Sequence, residues 1–317
     1  MAGMVSPGWS KTAIEVVQGV DLRGRQIVIT GGSSGIGMET VRAFVSAGAD
    51  VVIGVRNPAK GIEAARSIGD AGPGRLRVEH LELCELGSVV GFARTVSGPV
   101  DALIANAGVS KTPDTHLPNG LDVRFATNHL GHFLLAHRFK DQLAERGARI
   151  VVLSSAAHKG MPVRLDDLQW HAREHQFGMA YGESKSANIL LAQEATRRWK
   201  GDGIFANAVL PGSALTGLQR FHGDALKRQI GFIDEDGNVS EMVKTTEQAA
   251  ATSAWAVVAP ELDGRGGLVL EDCDLALPVG PETHPWMGYD LSISKPSVAA
   301  ELWERSLALL AGWVEVT

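Results

Sequence analysis

Eight consecutive residues constrain this chain most: Thr30-Gly31-Gly32-Ser33-Ser34-Gly35-Ile36-Gly37 follow the apolar run Gln26-Ile27-Val28-Ile29 and open a helical pattern. Glycines at Gly31, Gly35 and Gly37 let a strand turn tightly into a helix while the backbone closes on a partner. The amides at the start of such a helix point at an anion. The physical reading is a strand–turn–helix unit that cradles a pyrophosphate, and so a dinucleotide. Taken alone, the turn leaves a second reading open, a tight β–α connection with no ligand. Its company argues for the first: Asn106-Ala107-Gly108, Asn128, Ser154-Ser155 and Tyr181-Gly182-Glu183-Ser184-Lys185 follow in chain order.

Apolar runs alternate with helical patterns throughout. Strands are predicted over residues 26–30, 50–54, 76–81, 102–105, 149–154, 204–209 and 268–270, and helices over 36–47, 58–67, 86–96, 121–146, 179–200, 246–258 and 296–311. Runs such as Ile150-Val151-Val152-Leu153 are apolar without alternation, as strands covered on both faces require. The expected fold is therefore α/β, a Rossmann-type doubly wound parallel sheet with helices on both faces, in a single domain. An N-terminal arm spans residues 1–24, with an amphipathic stretch at 12–17, and the catalytic domain spans 25–317. Long insertions at about 156–178 and 213–245 follow strand C-termini, where open α/β sheets place their ligands.

Composition narrows the partners. A net charge of −6 and a pI near 5.9 supply no electrostatic footprint for nucleic acid or anionic lipid. Cys84 and Cys273 form neither a disulfide framework nor a metal motif, which fits a reducing compartment. No window approaches the roughly 20 apolar residues of a membrane span. Residues 1–11 do not read as an export signal, so a cytoplasmic protein is expected. His171 and His175 have the spacing of a helical metal pair but no third ligand, and no metal is assigned. His129 and His132 read as packing residues.

Cofactor choice is read at the end of the second strand, where an acid would meet a ribose 2′-hydroxyl. Here Val55 takes the acid's place and Arg56-Asn57 follow. A carboxylate would repel a 2′-phosphate, whereas a guanidinium binds one through paired hydrogen bonds. NADP(H) is expected over NAD(H), with a solvated loop arginine as the alternative reading. Tyr181 and Lys185 are four residues apart and share a helix face. A phenol with a pKa of about 10 needs a nearby positive charge to exchange protons near neutrality. Lys185, aided by an oxidised nicotinamide, is the expected source.

The Thr-Gly-x-x-x-Gly-x-Gly spacing resembles that of the short-chain dehydrogenase/reductase family, and differs from the Gly-x-x-Gly-x-x-Gly of its sugar-nucleotide branch. Within the family the chain is similar to the retinol dehydrogenase and WW-domain oxidoreductase-like group through Asn119-Gly120-Leu121, Asn128-His129-Leu130-Gly131-His132-Phe133, Ser184-Lys185-Ser186-Ala187-Asn188 and Leu302-Trp303-Glu304-Arg305-Ser306. The resemblance implies a catalytic set of Asn128, Ser155, Tyr181 and Lys185, with Ser154 as the competitor for Ser155. It implies a cofactor site of Gly31, Ser33, Ser34, Gly35, Ile36, Gly37, Arg56, Asn57, Glu82, Leu83, Asn106, Ala107, Gly108, Tyr181, Lys185, Pro211, Gly212 and Thr216. Glu82 stands in place of the family's usual Asp, and Ala105 in place of the first Asn of its Asn-Asn-Ala-Gly element.

The implied chemistry is hydride transfer between nicotinamide C4 and a carbonyl carbon, with Tyr181 exchanging the proton on oxygen. Leu218, Phe221, Leu226, Ile230, Phe232, Trp286 and Met287 are expected to line an apolar pocket for a lipophilic ketone, aldehyde or alcohol. Family members pair through the two long helices, which implies a homodimer or homotetramer. The rival readings are an NADP(H)-binding scaffold or redox sensor without turnover and an NAD-dependent secondary alcohol dehydrogenase.

Overall fold

A computed structural model describes residues 6–69 and 71–314. Residues 1–5 of the expected arm and 315–317 of the expected domain lie outside the described residues. The rest of the arm forms one capped turn, α1 (Ala13–Val16), in which Thr12 and Glu15 cap each other. Ala13 and Val17 bury themselves in the same cluster as residues of the domain.

From there strand and helix alternate: β1 (Gln26–Thr30), α2 (Gly35–Ser46), β2 (Asp50–Val55), α3 (Pro58–Ile68), β3 (Arg75–His80), α4 (Leu86–Thr95) and β4 (Ala102–Ala105). A broken helical stretch follows: α5 (Val123–Phe125), a π-helical turn (Ala126–Leu130), α6 (Gly131–Arg138) and α7 (Lys140–Ala144). The second half comprises β5 (Ala148–Leu153), α8 (Phe177–Trp199), β6 (Ile204–Leu210), α9 (Asp224–Gln229), α10 (Thr246–Val258), β7 (Val269–Glu271), β8 (Asp274–Leu275) and α11 (Pro296–Leu309). The eight strands form one sheet in the order β3-β2-β1-β4-β5-β6-β7-β8, parallel except for β8.

Strand side chains alternate between two cores, as the pleat requires. Val28, Ile150 and Val152 join one cluster with Phe133, Ile189 and Trp303 from α6, α8 and α11; Ile27, Ile29, Val151 and Leu153 join another with Val41, Phe44 and Ala254 from α2 and α10. Helices therefore cover both faces of the sheet. Strand order reverses beside β1, between β2 and β4, and this switch point opens a crevice at the strand C-termini.

Two expectations are corrected. The single helix predicted for 121–146 is interrupted by the π-helical turn at Asn128 and again at Phe139, where the backbone leaves the helical region (ψ 0°). The sequence reading also missed β8. Its hairpin turns through Asp272 and Cys273, both at positive φ (52° and 57°), a geometry that favours Asn-Gly or Asp-Gly and gives no recognisable signal as Asp-Cys.

Candidate active site

The glycine turn is shaped by what surrounds each glycine. Gly31 and Gly35 adopt positive φ (70° and 55°), and a Cβ on Gly37 would lie 2.5 Å from both Asn106 Nδ2 and Gly31 O. Ser34, at the N-cap of α2, makes no side-chain capping bond, so the first-turn amides lack that partner. Asn106 closes the back of the turn by donating from Nδ2 to Thr30 O at 2.8 Å. Thr30 Oγ1 accepts the amides of Asn106 (3.0 Å) and Ala107 (2.9 Å), tying the end of β4 to β1. Close backbone, uncapped amides and an open front fit a pyrophosphate.

The turn forms one wall of a cleft of about 920 Å³. Gly31, Ser33, Ser34, Gly35, Ile36 and Gly37 line it with Arg56, Asn57, Glu82, Leu83, Asn106, Ala107, Gly108, Tyr181, Lys185, Pro211 and Thr216. Three expected site residues stand outside this lining. Gly212 packs against the Lys244 side chain, Asn128 is buried, and Ser155 lies at the turn after β5.

Helix α8 brings the phenol and the ammonium together. Lys185 Nζ donates to Leu153 O at 2.9 Å and lies 5.7 Å from the centre of the Tyr181 ring. Burial pushes Lys185 down to about 8 and Tyr181 up to about 12, with the Ser155 hydroxyl acting on the phenol in the opposite direction. The expected depression of the phenol by Lys185 is therefore not found in the protein by itself, where burial sets the direction. The serine pair divides its work. Ser154 lines the cleft and its Oγ donates to Lys185 O at 2.8 Å, strapping α8 to β5, while Ser155 Oγ accepts Ala157 N at 3.2 Å and is the hydroxyl that acts on the Tyr181 phenol.

Asn128 sits in the π-helical turn behind Gly108. Its Oδ1 accepts Val109 N (2.8 Å), and its Nδ2 donates to Val109 O and Ser184 Oγ (both 2.9 Å). Ser184 Oγ in turn donates to Tyr181 O at 2.7 Å, so Asn128 holds both the cleft loop and the tyrosine's own helical turn.

Beyond the end of β2, the Arg56 guanidinium is largely exposed and lies 3.7 Å from Glu82. Lys60 and Arg220 line the same cleft. Leu218 and Phe221 line the cleft as expected, joined by Val109, Leu117 and Val123. Phe232 and Trp286 instead pack edge to face at 5.2 Å, and neither they nor Leu226, Ile230 or Met287 reach the lining. Thr216 caps a 3₁₀ turn over the glycine loop, where a Cβ on Gly35 would meet it at 3.2 Å. The histidine pair of the 156–178 insertion is engaged within the protein: His171 Nε2 bonds Gly120 O (2.9 Å) and His175 Nε2 bonds the Asp122 carboxylate (2.8 Å).

Three residues take structural roles that their sequence positions do not announce: Thr30 as a hub rather than the head of a motif, His132, and His158. His132 Nε2 lies 2.8 Å from Thr30 Oγ1 and its Nδ1 3.0 Å from Asn128 O. Its position four residues after Asn128 was the only available hint.

Known proteins resemble this chain along most of its length. The family model described as short chain dehydrogenase matches residues 25–226. A probable oxidoreductase of Streptomyces lividans is 43% identical over 289 residues, covering 90% of this chain and 97% of the relative. Human retinol dehydrogenase 13 is 33% identical over 296 residues, covering 90% and 85%. The crystal structure of an uncharacterized Mycobacterium paratuberculosis protein superposes with a TM-score of 0.74 at 29% identity, covering 97% of this chain and all of that one. The chain belongs to the short-chain dehydrogenase/reductase family of oxidoreductases. Among the described residues no helix is long and apolar enough to cross a membrane.

Proposed function

We propose that this protein is an NADP(H)-dependent carbonyl reductase of lipophilic ketones or aldehydes. The observation that carries the reading is the meeting of a phenol, an ammonium and an uncapped glycine turn in one cleft. A bound nicotinamide supplies the hydride. Tyr181 donates the proton to the substrate oxygen, and Ser155 offers that oxygen a hydrogen bond. The Lys185 ammonium stabilises the phenolate left behind and is placed to hold the nicotinamide ribose. Asn128 keeps the phenol's helical turn in register through Ser184 and supports the relay that returns a proton to the lysine.

The exposed Arg56 guanidinium supports NADP(H), since a 2′-phosphate would compete with Glu82 for it. Leu117, Leu218 and Phe221 support an apolar substrate. Two cysteines, Cys84 and Cys273, in neither a disulfide framework nor a metal motif, support a reducing, cytoplasmic setting. A homodimer or homotetramer belongs to the same reading.

The test is equilibrium binding of NADPH and NADH, followed by NADPH oxidation against a panel of ketones and aldehydes. Tyr181→Phe should abolish turnover and still bind NADPH. Arg56→Ala should weaken NADPH roughly 10- to 100-fold, the loss of a charge-assisted contact, and leave NADH unchanged. NADPH binding without consumption would mark a scaffold, and a preference for NADH would mark an NAD-dependent alcohol dehydrogenase.

A further inference from the structure

His158 closes the turn that follows β5, and its surroundings define its protonation. The side chain is fully buried. Its Nε2 lies 3.0 Å from the backbone amide of Asp290, which can only donate, so Nε2 is the acceptor. The ring proton therefore sits on Nδ1, 2.6 Å from Ser155 O, and donates to it. One neutral imidazole thus bridges the backbone of Ser155 to a segment more than 130 residues further along the chain.

That segment grips the same turn twice more. Lys159 Nζ donates to Met287 O at 2.7 Å, and Gly160 N donates to Asp290 Oδ2 at 3.0 Å. On the opposite side α8 closes against the turn at Gly182, where a Cβ would lie 2.5 Å from Ala157 O, next to Tyr181. The Ser155 turn is therefore clamped between the helix that carries the phenol and residues 287–290. Those residues lie outside the 25–226 span matched by the family model.

We propose that His158 is a positioning residue, which sets the Ser155 hydroxyl against Tyr181 and makes turnover depend on the C-terminal segment around Asp290. The inference rests on the carbonyl-reductase reading, in which Ser155 holds the substrate oxygen. A shift of about 1 Å in such a group costs on the order of 100-fold in rate.

The experiment measures kcat with the best carbonyl of the panel and the NADPH dissociation constant by tryptophan fluorescence, for wild type and five variants. His158→Phe fills the site without either hydrogen bond and should lower kcat roughly 30- to 100-fold with unchanged NADPH affinity. His158→Asn restores an amide N–H near the Nδ1 position and should stay within about threefold of wild type. Asp290→Ala, at the half-buried end of the clamp, should lower kcat roughly 3- to 10-fold, again with unchanged NADPH affinity. Ser155→Ala should be nearly inactive, and adding His158→Phe to it should cost nothing further, because both act through one hydroxyl.

Wild-type kcat in His158→Phe, with Ser155→Ala inactive, overturns the role of His158 alone, and wild-type kcat in Asp290→Ala, which removes the Gly160 contact, overturns the dependence on the C-terminal segment. Fully multiplied losses in the double variant also overturn the role of His158. If His158→Phe fails to fold, the Asn variant decides the matter, since a loss well beyond threefold there overturns the role of the Nδ1 hydrogen bond to Ser155 O. An active Ser155→Ala overturns the underlying reading as well.

Discussion

Thr30 shows how much one hydroxyl can organise. Its oxygen has two acceptor sites, both occupied by the amides of Asn106 and Ala107, so its single proton goes to His132 Nε2. The imidazole must then carry its own proton on Nδ1, facing Asn128 O. Burial pushes His132 down to about 4, which keeps it neutral in this role at ordinary pH. Thr30→Val keeps the shape and removes the oxygen, leaving two amides and a histidine unpaired. We expect a loss of about 2–4 kcal/mol in urea unfolding and weaker NADPH binding. The buried Lys185 gives a second expectation at this scale. Its ammonium is lost as pH rises past about 8, so kcat/KM for carbonyl reduction should fall on that alkaline limb. Flat kcat/KM to pH 10 would remove the lysine charge from the mechanism.

Among the elements, the π-helical turn is the one that no periodicity foretold. A wide turn carries Asn128, whose amide takes over hydrogen bonding for the backbone of Val109 in the cleft wall. π-helical turns concentrate at functional sites because they cost helix stability. Asn128→Ala would strand Val109 N and O and take from Ser184 Oγ the donor it accepts, leaving its bond to Tyr181 O. The expected result is a stability loss of about 2–4 kcal/mol, read by thermal or urea unfolding, and a loss of turnover larger than the loss of NADPH affinity. Apolar patterning predicted a helix across 121–146 because burial follows the same face through α5, α6 and α7; the breaks depend on side-chain partners far along the chain. The β7–β8 hairpin escaped for a related reason. Its turn residue Asp272 is held by buried Lys244 and by Ser6 of the arm, contacts spanning 28 and 266 positions.

For the molecule as a whole, buried histidines set the response to acid. His129, His132 and His137 are pushed by burial to about 3, 4 and 4, so the unfolded chain binds protons below about pH 6.5 that the folded chain refuses. Glu271 opposes them: burial raises it to about 7, and the folded chain holds that proton where the unfolded one releases it. Near pH 5.5 these three histidines outweigh Glu271 by about two protons, or roughly 3 kcal/mol of stability lost per pH unit of acidification, with His158, pushed down by burial, adding to their side and Glu183, pushed up by burial, to the other. Urea midpoints measured from pH 7 to 4.5 should fall steeply; midpoints that rise over that range would refute the balance. The sequence by itself determined the alternating layers, the glycine turn, and the tyrosine and lysine on one helix face, because these depend on residue type and on spacings within a single turn or strand. The tertiary structure alone decided what each serine of the pair bonds, that burial dominates the phenol's proton affinity, and that His132 and His158 tie these segments together. Hydrogen-bond partners and desolvation are properties of neighbours in space, and those neighbours come from positions up to 132 residues apart.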